Sequence, residues 1–171
     1  MDVKDIHVLI KVKVYKFLLK LTFVISLFCI DRFSKIYIIE LYEKTGVTEV
    51  YLTSFLNLYL VWNTGIAFGL FSLSNELIYN LFTTLIVLIN LIIIYLITIT
   101  KDFRKYFFLL ILGGSFGNLF DRLYYRSVPD FIDFHIGNFH WFIFNIADIF
   151  ITVGVTCLIL AEVLYKKDTN E

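Results

Sequence analysis

The sequence has little charge, almost no proline and few glycines. Of its 171 residues, 18% are charged, one is proline and eight are glycine. The scarcity of proline and glycine argues against a linker-rich, multidomain chain. The low charged fraction excludes an intrinsically disordered protein. Because 15 basic residues balance 15 acidic ones, binding of nucleic acid through bulk charge is excluded as well.

The sequence also lacks a cysteine framework and the common cofactor motifs. Its two cysteines, Cys29 and Cys157, each lie inside an apolar run, which is typical of small buried or lipid-facing side chains. There is no P-loop, and His135 and His140 are not part of an HExxH zinc motif. We therefore expect no metal and no cofactor.

Apolar residues are what the sequence has in excess. They make up 59% of the chain, whereas a soluble domain contains roughly 45–50%. A soluble fold of this size could not bury so much apolar surface. The composition therefore predicts an integral membrane protein.

Four segments are candidates for membrane spans. Residues 77–100 carry no charge and form about 36 Å of helix, enough to cross a hydrocarbon core of about 30 Å. Each of the other three has charged residues near one end. We predict spans at residues 17–39, 77–100, 106–124 and 142–165.

The distribution of basic residues predicts the orientation. Ten lysines and arginines lie in the N-terminal tail, the loop between the second and third spans, and the C-terminal tail, whereas the opposite loops hold three. The positive-inside rule then places both termini in the cytoplasm, which requires an even number of spans. The charged ends of the other three spans consequently fall near the outer face.

The loop at residues 40–76 is too long for a simple turn. Within it, residues 47–51 and 55–62 are rich in β-branched and aromatic residues, which indicates short strands. We expect an all-α membrane protein of four helices, with a small β-structured cradle in this first outer loop. The whole chain, residues 1–171, is predicted to be a single domain.

Charged residues at the outer ends of the spans are candidates for a functional site, because charge is costly inside a bilayer. Asp31 and Lys35 have helical i,i+4 spacing and can form either an interfacial ion pair or part of a site. Asn118, Asp121 and Arg122 share one helix face. From spacing alone, they could be a structural clamp or the wall of an active site.

Further acidic residues lie near the last span. Asp130 and Asp133 could simply keep a loop soluble. Asn145 and Asp148 lie at the start of the last span, where an acid such as Asp148 must face inward because contact with lipid is costly. Two neighbouring carboxylates can share a proton, activate water and protonate a leaving amine. The spacing alone leaves an aspartic-type peptidase open beside a small channel, a transporter or a helper subunit.

Five motifs in series narrow these alternatives. The chain resembles the prolipoprotein signal peptidase family of bacteria, signal peptidase II, over nearly its whole length. Each motif is modest alone, but their order and spacing together are specific. The motifs are DRFSK at 31–35, NTGIAF at 63–68, GGSFGNLFDR at 113–122, VPDFI at 128–132 and FNIAD at 144–148.

The resemblance implies an aspartic endopeptidase of the bacterial cytoplasmic membrane, with its active site near the outer face. It implies Asp130 and Asp148 as the catalytic pair, with no metal, and a diacylglyceryl-modified prolipoprotein as substrate, cut N-terminal to the lipidated cysteine. We expect a monomer whose partners are this substrate and the bilayer, not nucleic acid. The supporting residues implied are Asp31, Lys35, Asn63, Gly65, Gly114, Asn118, Arg122, Asn145 and Ala147.

One segment departs from the family pattern. Between Arg122 and Asp130 the family usually has a glycine followed by small β-branched residues. This chain has Arg126-Ser127-Val128-Pro129 instead. The eight-residue offset between Arg122 and Asp130 is nevertheless preserved.

Overall fold

The computed structural model describes residues 2–46, 49–65, 76–137 and 139–168. These residues form four helices and four strands. In chain order the elements are α1 (Val3–Thr45), β1 (Glu49–Tyr51), β2 (Leu56–Asn63), α2 (Glu76–Ile99), α3 (Arg104–Tyr124), β3 (Val128–Ile136), β4 (Phe139–Phe144) and α4 (Ile146–Asp168).

A helix occupies each of the four predicted span segments. Two of them, Glu76–Ile99 and Ile146–Leu164, are long and apolar enough to cross a membrane by length and composition. The charged residues of α1 and α3 keep those helices outside that group, so the count of four spans remains a prediction. The 43 residues of α1 correspond to about 64 Å, far longer than a bilayer core requires.

The four strands form one antiparallel sheet in the order β1-β2-β3-β4. Strands β1 and β2 lie where the β-rich loop predicted them, although residues 47 and 48 fall outside the described part of the chain. The β-structure was predicted in the loop at residues 40–76, but the sheet is not confined to that loop. Half of the sheet comes from residues 128–144, which connect α3 to α4.

The predicted start of the last span was also wrong. Residues 142–144 belong to β4, and α4 begins only at Ile146. The reason is that β4 is aromatic and apolar throughout most of its length. Hydropathy cannot separate such a strand from the helix that follows it.

Helix α3 lies centrally and packs against α1, α2 and α4. Small residues allow this close packing, because a Cβ atom at Gly114 would collide with the carbonyl oxygen of Ala147. A Cβ atom at Gly117 would likewise collide with the carboxylate of Asp31. The glycine-rich stretch of α3 therefore brings α1 and α4 against one short section of α3, where the polar residues lie. The buried apolar cluster beside it comprises Val24, Ile93, Ile97, Leu109, Ile111 and Leu112.

Candidate active site

Asp130 and Asp148 line one cavity of about 570 Å³. Asp130 is the third residue of β3 and Asp148 the third of α4, so a strand and a helix end hold the two acids. Asp130 is buried, with 3% of its surface exposed, whereas Asp148 is half-buried. The cavity walls also include Asn63, Ser115, Asn118 and Arg122.

Two amides hold the carboxylate of Asp130. Asn145 donates from Nδ2 to Oδ1 at 2.6 Å, and Asn63 donates from Nδ2 to Oδ2 at 2.8 Å. Burial and the negative charge of Asp148 raise the pKa of Asp130 to about 7, although the two amide donors act in the opposite direction. A carboxylate in this setting readily keeps a proton near neutral pH.

Asp148 is oriented by the start of its own helix. The backbone N–H of Asn145 donates to Oδ2 of Asp148 at 3.2 Å, and the N–H of Asp148 donates to Oδ1 of Asn145 at 3.1 Å. This reciprocal pair is a capping arrangement at the N-terminus of α4. Asn118 adds a second donor to the Asp148 carboxylate, from Nδ2 to Oδ1 at 2.8 Å. Asn145 thus contacts both acids and sets their relative position.

Lys35 connects α1 to α3 beside the acids. Its fully buried Nζ donates to Asp31 at 2.8 Å, to Asn118 at 2.9 Å and to Asp121 at 2.7 Å. Asp31 also accepts the backbone N–H of Ala147 at 2.9 Å, which ties α1 to the first turn of α4. Since Lys35 occupies the amide oxygen of Asn118, the amide nitrogen of Asn118 must face Asp148.

Arg122 joins the cavity to the segment after β2. It donates from Nη2 to the carbonyl oxygen of Gly65 at 2.9 Å, and the N–H of Gly65 donates to Oδ1 of Asn63 at 2.8 Å. Among the residues that the structure describes, Nη1 of Arg122 is buried without a hydrogen-bond partner. This donor is available to an acceptor that enters the cavity.

The eleven residues implied by the sequence resemblance thus lie in one connected region. Asp121 joins them as a structural partner of Lys35 and Arg32. Sequence reasoning did not single out Ser115, which lines the cavity, or Tyr79, whose hydroxyl donates to the carbonyl oxygen of Arg122 at 3.0 Å. The position of Ser115 within the glycine-rich motif was an available signal, whereas Tyr79 has none in the sequence.

Asp133 does not join the two acids, although it follows Asp130 by only three residues. Its carboxylate lies 2.9 Å from Nδ1 of His140 and 3.8 Å from Nδ1 of His135. The spacing of the two histidines along the sequence indicated no metal site. The β3–β4 hairpin nevertheless brings both of them to Asp133.

The segment that departs from the family pattern still brings Asp130 to the cavity. Arg126 has φ of 59°, in the left-handed region that favours glycine. The strand then pairs Val128 with Asn63 and Asp130 with Val61. Pro129 is tolerated because β4 pairs with β3 only from Ile132 onward. Arginine thus adopts the conformation that a glycine would supply, and Asp130 still reaches the cavity.

Comparison with known proteins agrees with this geometry. Residues 23–164 match the family described as signal peptidase (SPase) II. The chain belongs to the signal peptidase II family. A lipoprotein signal peptidase of Pelagibacter ubique is 51% identical over 162 residues, covering 94% of this chain and 98% of the relative. A lipoprotein signal peptidase of Anaplasma marginale is 37% identical, covering 83% of this chain and 82% of the relative.

Solved structures of bacterial membrane enzymes share the fold. One, determined by the in meso method at 2.3 Å resolution, has a TM-score of 0.65 and 29% identity, and the match covers 89% of this chain and 90% of that one. Another, at 1.9 Å resolution, has a TM-score of 0.62 and 30% identity, covering 83% of this chain and 90% of that one. This signal peptidase II family member is therefore a protease with the fold of a membrane enzyme.

Proposed function

We propose that this protein is an aspartic endopeptidase that removes signal peptides from diacylglyceryl-modified prolipoproteins. The cut lies N-terminal to the lipidated cysteine. The observation that carries the proposal is the pair Asp130 and Asp148, held in one cavity by amide donors. The names of its Pelagibacter and Anaplasma relatives point to the same substrate class.

The two acids can hydrolyse a peptide bond without a metal. One carboxylate is ionised and removes a proton from water, whose oxygen attacks the peptide carbonyl carbon. The other is protonated and stabilises the developing oxyanion by donating a hydrogen bond. The resulting tetrahedral intermediate breaks its C–N bond when the leaving nitrogen receives a proton. The Nη1 of Arg122, which has no hydrogen-bond partner within the described ranges, supplies a further donor to an acceptor in this cavity.

The other cavity walls suit a lipid-attached, apolar substrate. Ile86 and Ile89 of α2 and Ile151 and Val155 of α4 line the same space as the acids. Such side chains can contact acyl chains or the apolar part of a signal peptide. Beyond Glu76, α2 has no charged residue, which disfavours a polar transport path along this helix.

We also propose that all four helices cross the inner membrane as one peptidase domain. Both termini then lie in the cytoplasm and the cavity lies near the outer face. The unequal distribution of basic residues supports this orientation. The proposed substrate is anchored by its lipid at that same face, and the protein acts as a monomer.

The direct test is cleavage by the purified protein in detergent. A prolipoprotein bearing diacylglyceryl on its cysteine is compared with the same polypeptide without lipid, and mass spectrometry locates the cut. We expect cleavage immediately before the cysteine in the lipidated form only. Failure to cut either form, while a lipoprotein signal peptidase relative cuts the lipidated one in parallel, would contradict the proposed function.

The raised pKa of Asp130 predicts the pH dependence of cleavage. A shared proton is present below the raised pKa and is lost as the pH rises through it. Since the mechanism needs one protonated acid, we expect kcat/KM to fall as the pH rises through about 7. Initial rates across a range from about pH 5 to about pH 9 measure this. An activity that keeps rising above neutral pH, with an unchanged circular dichroism spectrum, would oppose a shared-proton mechanism.

A further inference from the structure

A second group of chemically active side chains lies in the β3–β4 hairpin. Asp133 and His135 are two positions apart on β3 and therefore lie on the same face of the strand. His140 of β4 pairs directly with His135. Gly137, with φ of 60°, lies in the turn that folds β4 back. Two histidines and one carboxylate thus meet on one face of the sheet.

The ligand atoms of these residues are close enough to share one ion. Nδ1 of His140 lies 2.9 Å from Oδ2 of Asp133, Nδ1 of His135 lies 3.8 Å from it, and one ligand atom from each residue falls within 4.8 Å of the others. Zinc ligands at about 2.0–2.2 Å from the metal stand roughly 3.3–3.5 Å from one another. Shifts of about half an ångström would bring the two Asp133 distances to that spacing, and the two histidine nitrogens would approach each other by up to about 1.4 Å.

Two buried polar atoms, one in the cluster and one on the strand paired with it, have no hydrogen-bond partner among the described residues. One is Nδ1 of His135, whose side chain is only 12% exposed. The other is Oδ1 of Asn57, the residue that pairs with Asp133 across β2 and β3. Buried polar atoms without partners are uncommon and call for an explanation. An ion bound by His135 satisfies the first of them.

We propose that Asp133, His135 and His140 bind one divalent transition-metal ion, with Zn²⁺ as the best match. Imidazole nitrogens with a carboxylate favour zinc and its neighbours over magnesium or calcium. His140 is half exposed, which gives an ion a path from solvent, whereas Asp133 is 4% exposed. Water completes the coordination on the exposed side.

This site is separate from the proposed catalytic pair. Asp130 is three positions from Asp133 on β3, so the two side chains leave opposite faces of the strand. Asp130 accepts hydrogen bonds from Asn63 and Asn145, and neither of these residues belongs to the histidine cluster. The metal joins β3 to β4 near the hairpin turn and so steadies the strand that carries Asp130. It takes no part in the peptide hydrolysis.

The test uses full-length protein without an affinity tag, treated with a chelator and dialysed in detergent. Zinc chloride is titrated calorimetrically, and the optical spectrum with Co²⁺ reports the ligand set. We expect one equivalent of zinc to bind the unaltered protein. We also expect His135→Gln and His140→Gln each to weaken binding by at least about tenfold. The third histidine, His7 in α1, provides the matched control, and His7→Gln should bind zinc unchanged.

Three results would overturn the metal site. The first is that the unaltered protein binds no zinc. The second is that His7→Gln loses as much zinc affinity as the hairpin variants. The third is that Asp130→Asn or Asp148→Asn loses zinc binding while His135→Gln and His140→Gln bind zinc fully. Thermal unfolding of the unaltered protein provides a measurement that does not depend on any variant. Zinc should raise its melting temperature, because a ligand of the folded state stabilises that state, and an unchanged melting temperature would count against the site.

Discussion

Asp130→Asn and Asp148→Asn are each expected to lower cleavage of a diacylglyceryl-modified prolipoprotein by at least about 10³-fold. The expected loss is large because the proposed mechanism uses the acids as a pair. An asparagine can neither accept the proton of the attacking water nor return it to the leaving nitrogen. Each variant therefore removes one of the two proton-transfer roles completely.

A matched substitution separates this effect from a general loss of structure. Asp102 lies in the connection between α2 and α3, where it accepts hydrogen bonds from Arg104 and its side chain is 42% exposed. Asp102→Asn makes the same chemical change away from the cavity and should retain activity within about twofold. Circular dichroism and gel filtration in detergent check that all variants are folded.

Two outcomes would contradict the assignment of the pair. One is substantial cleavage by either site variant in a preparation free of unaltered enzyme. The other is an equal loss in Asp102→Asn. In the second case the assay would be reporting stability in detergent rather than the chemistry of the two acids.

Lys35→Met is expected to destabilise the fold by about 3–5 kcal/mol, because it leaves the buried carboxylate of Asp31 without its cation. Lys35 and Asp31 are both fully buried, and the Lys35 ammonium also neutralises Asp121. We further expect kcat to fall by more than the folded fraction explains. Without Lys35 on its oxygen, the amide of Asn118 can turn and no longer holds Asp148.

The same helix contains a matched control for this substitution. Lys44 pairs with Glu40 at 2.7 Å with the same i,i+4 spacing as Lys35 and Asp31, but its side chain is 73% exposed. Exposed pairs of this kind contribute up to about 1 kcal/mol, so Lys44→Met should have little effect. Thermal unfolding in detergent, with kcat measured well below the melting temperature, compares the two variants. Equal destabilisation of the two variants would contradict the prediction that the buried ion pairs of Lys35 contribute more to stability than the exposed pair of Lys44 and Glu40.

Sequence patterns were sufficient where the physical signal is local. The apolar runs predicted a helix in each of four segments, and the β-branched and aromatic residues between α1 and α2 predicted β1 and β2. Strand β4 was missed because its aromatic residues continue directly into the apolar α4. The sheet was assigned to one loop because nothing in residues 49–63 shows that they pair with residues 128–134.

The composition by itself determined that this is a membrane protein, and the ordered motifs determined its family and its candidate acids. Only the tertiary structure decided which residues meet. It connected Lys35 to Asp121, set Asn145 between Asp130 and Asp148, and separated Asp133 from both acids. The physical reason is that hydropathy and helical spacing act between chain neighbours. The contacts of the site depend instead on how closely α3 packs against α1 and α4 at its glycines.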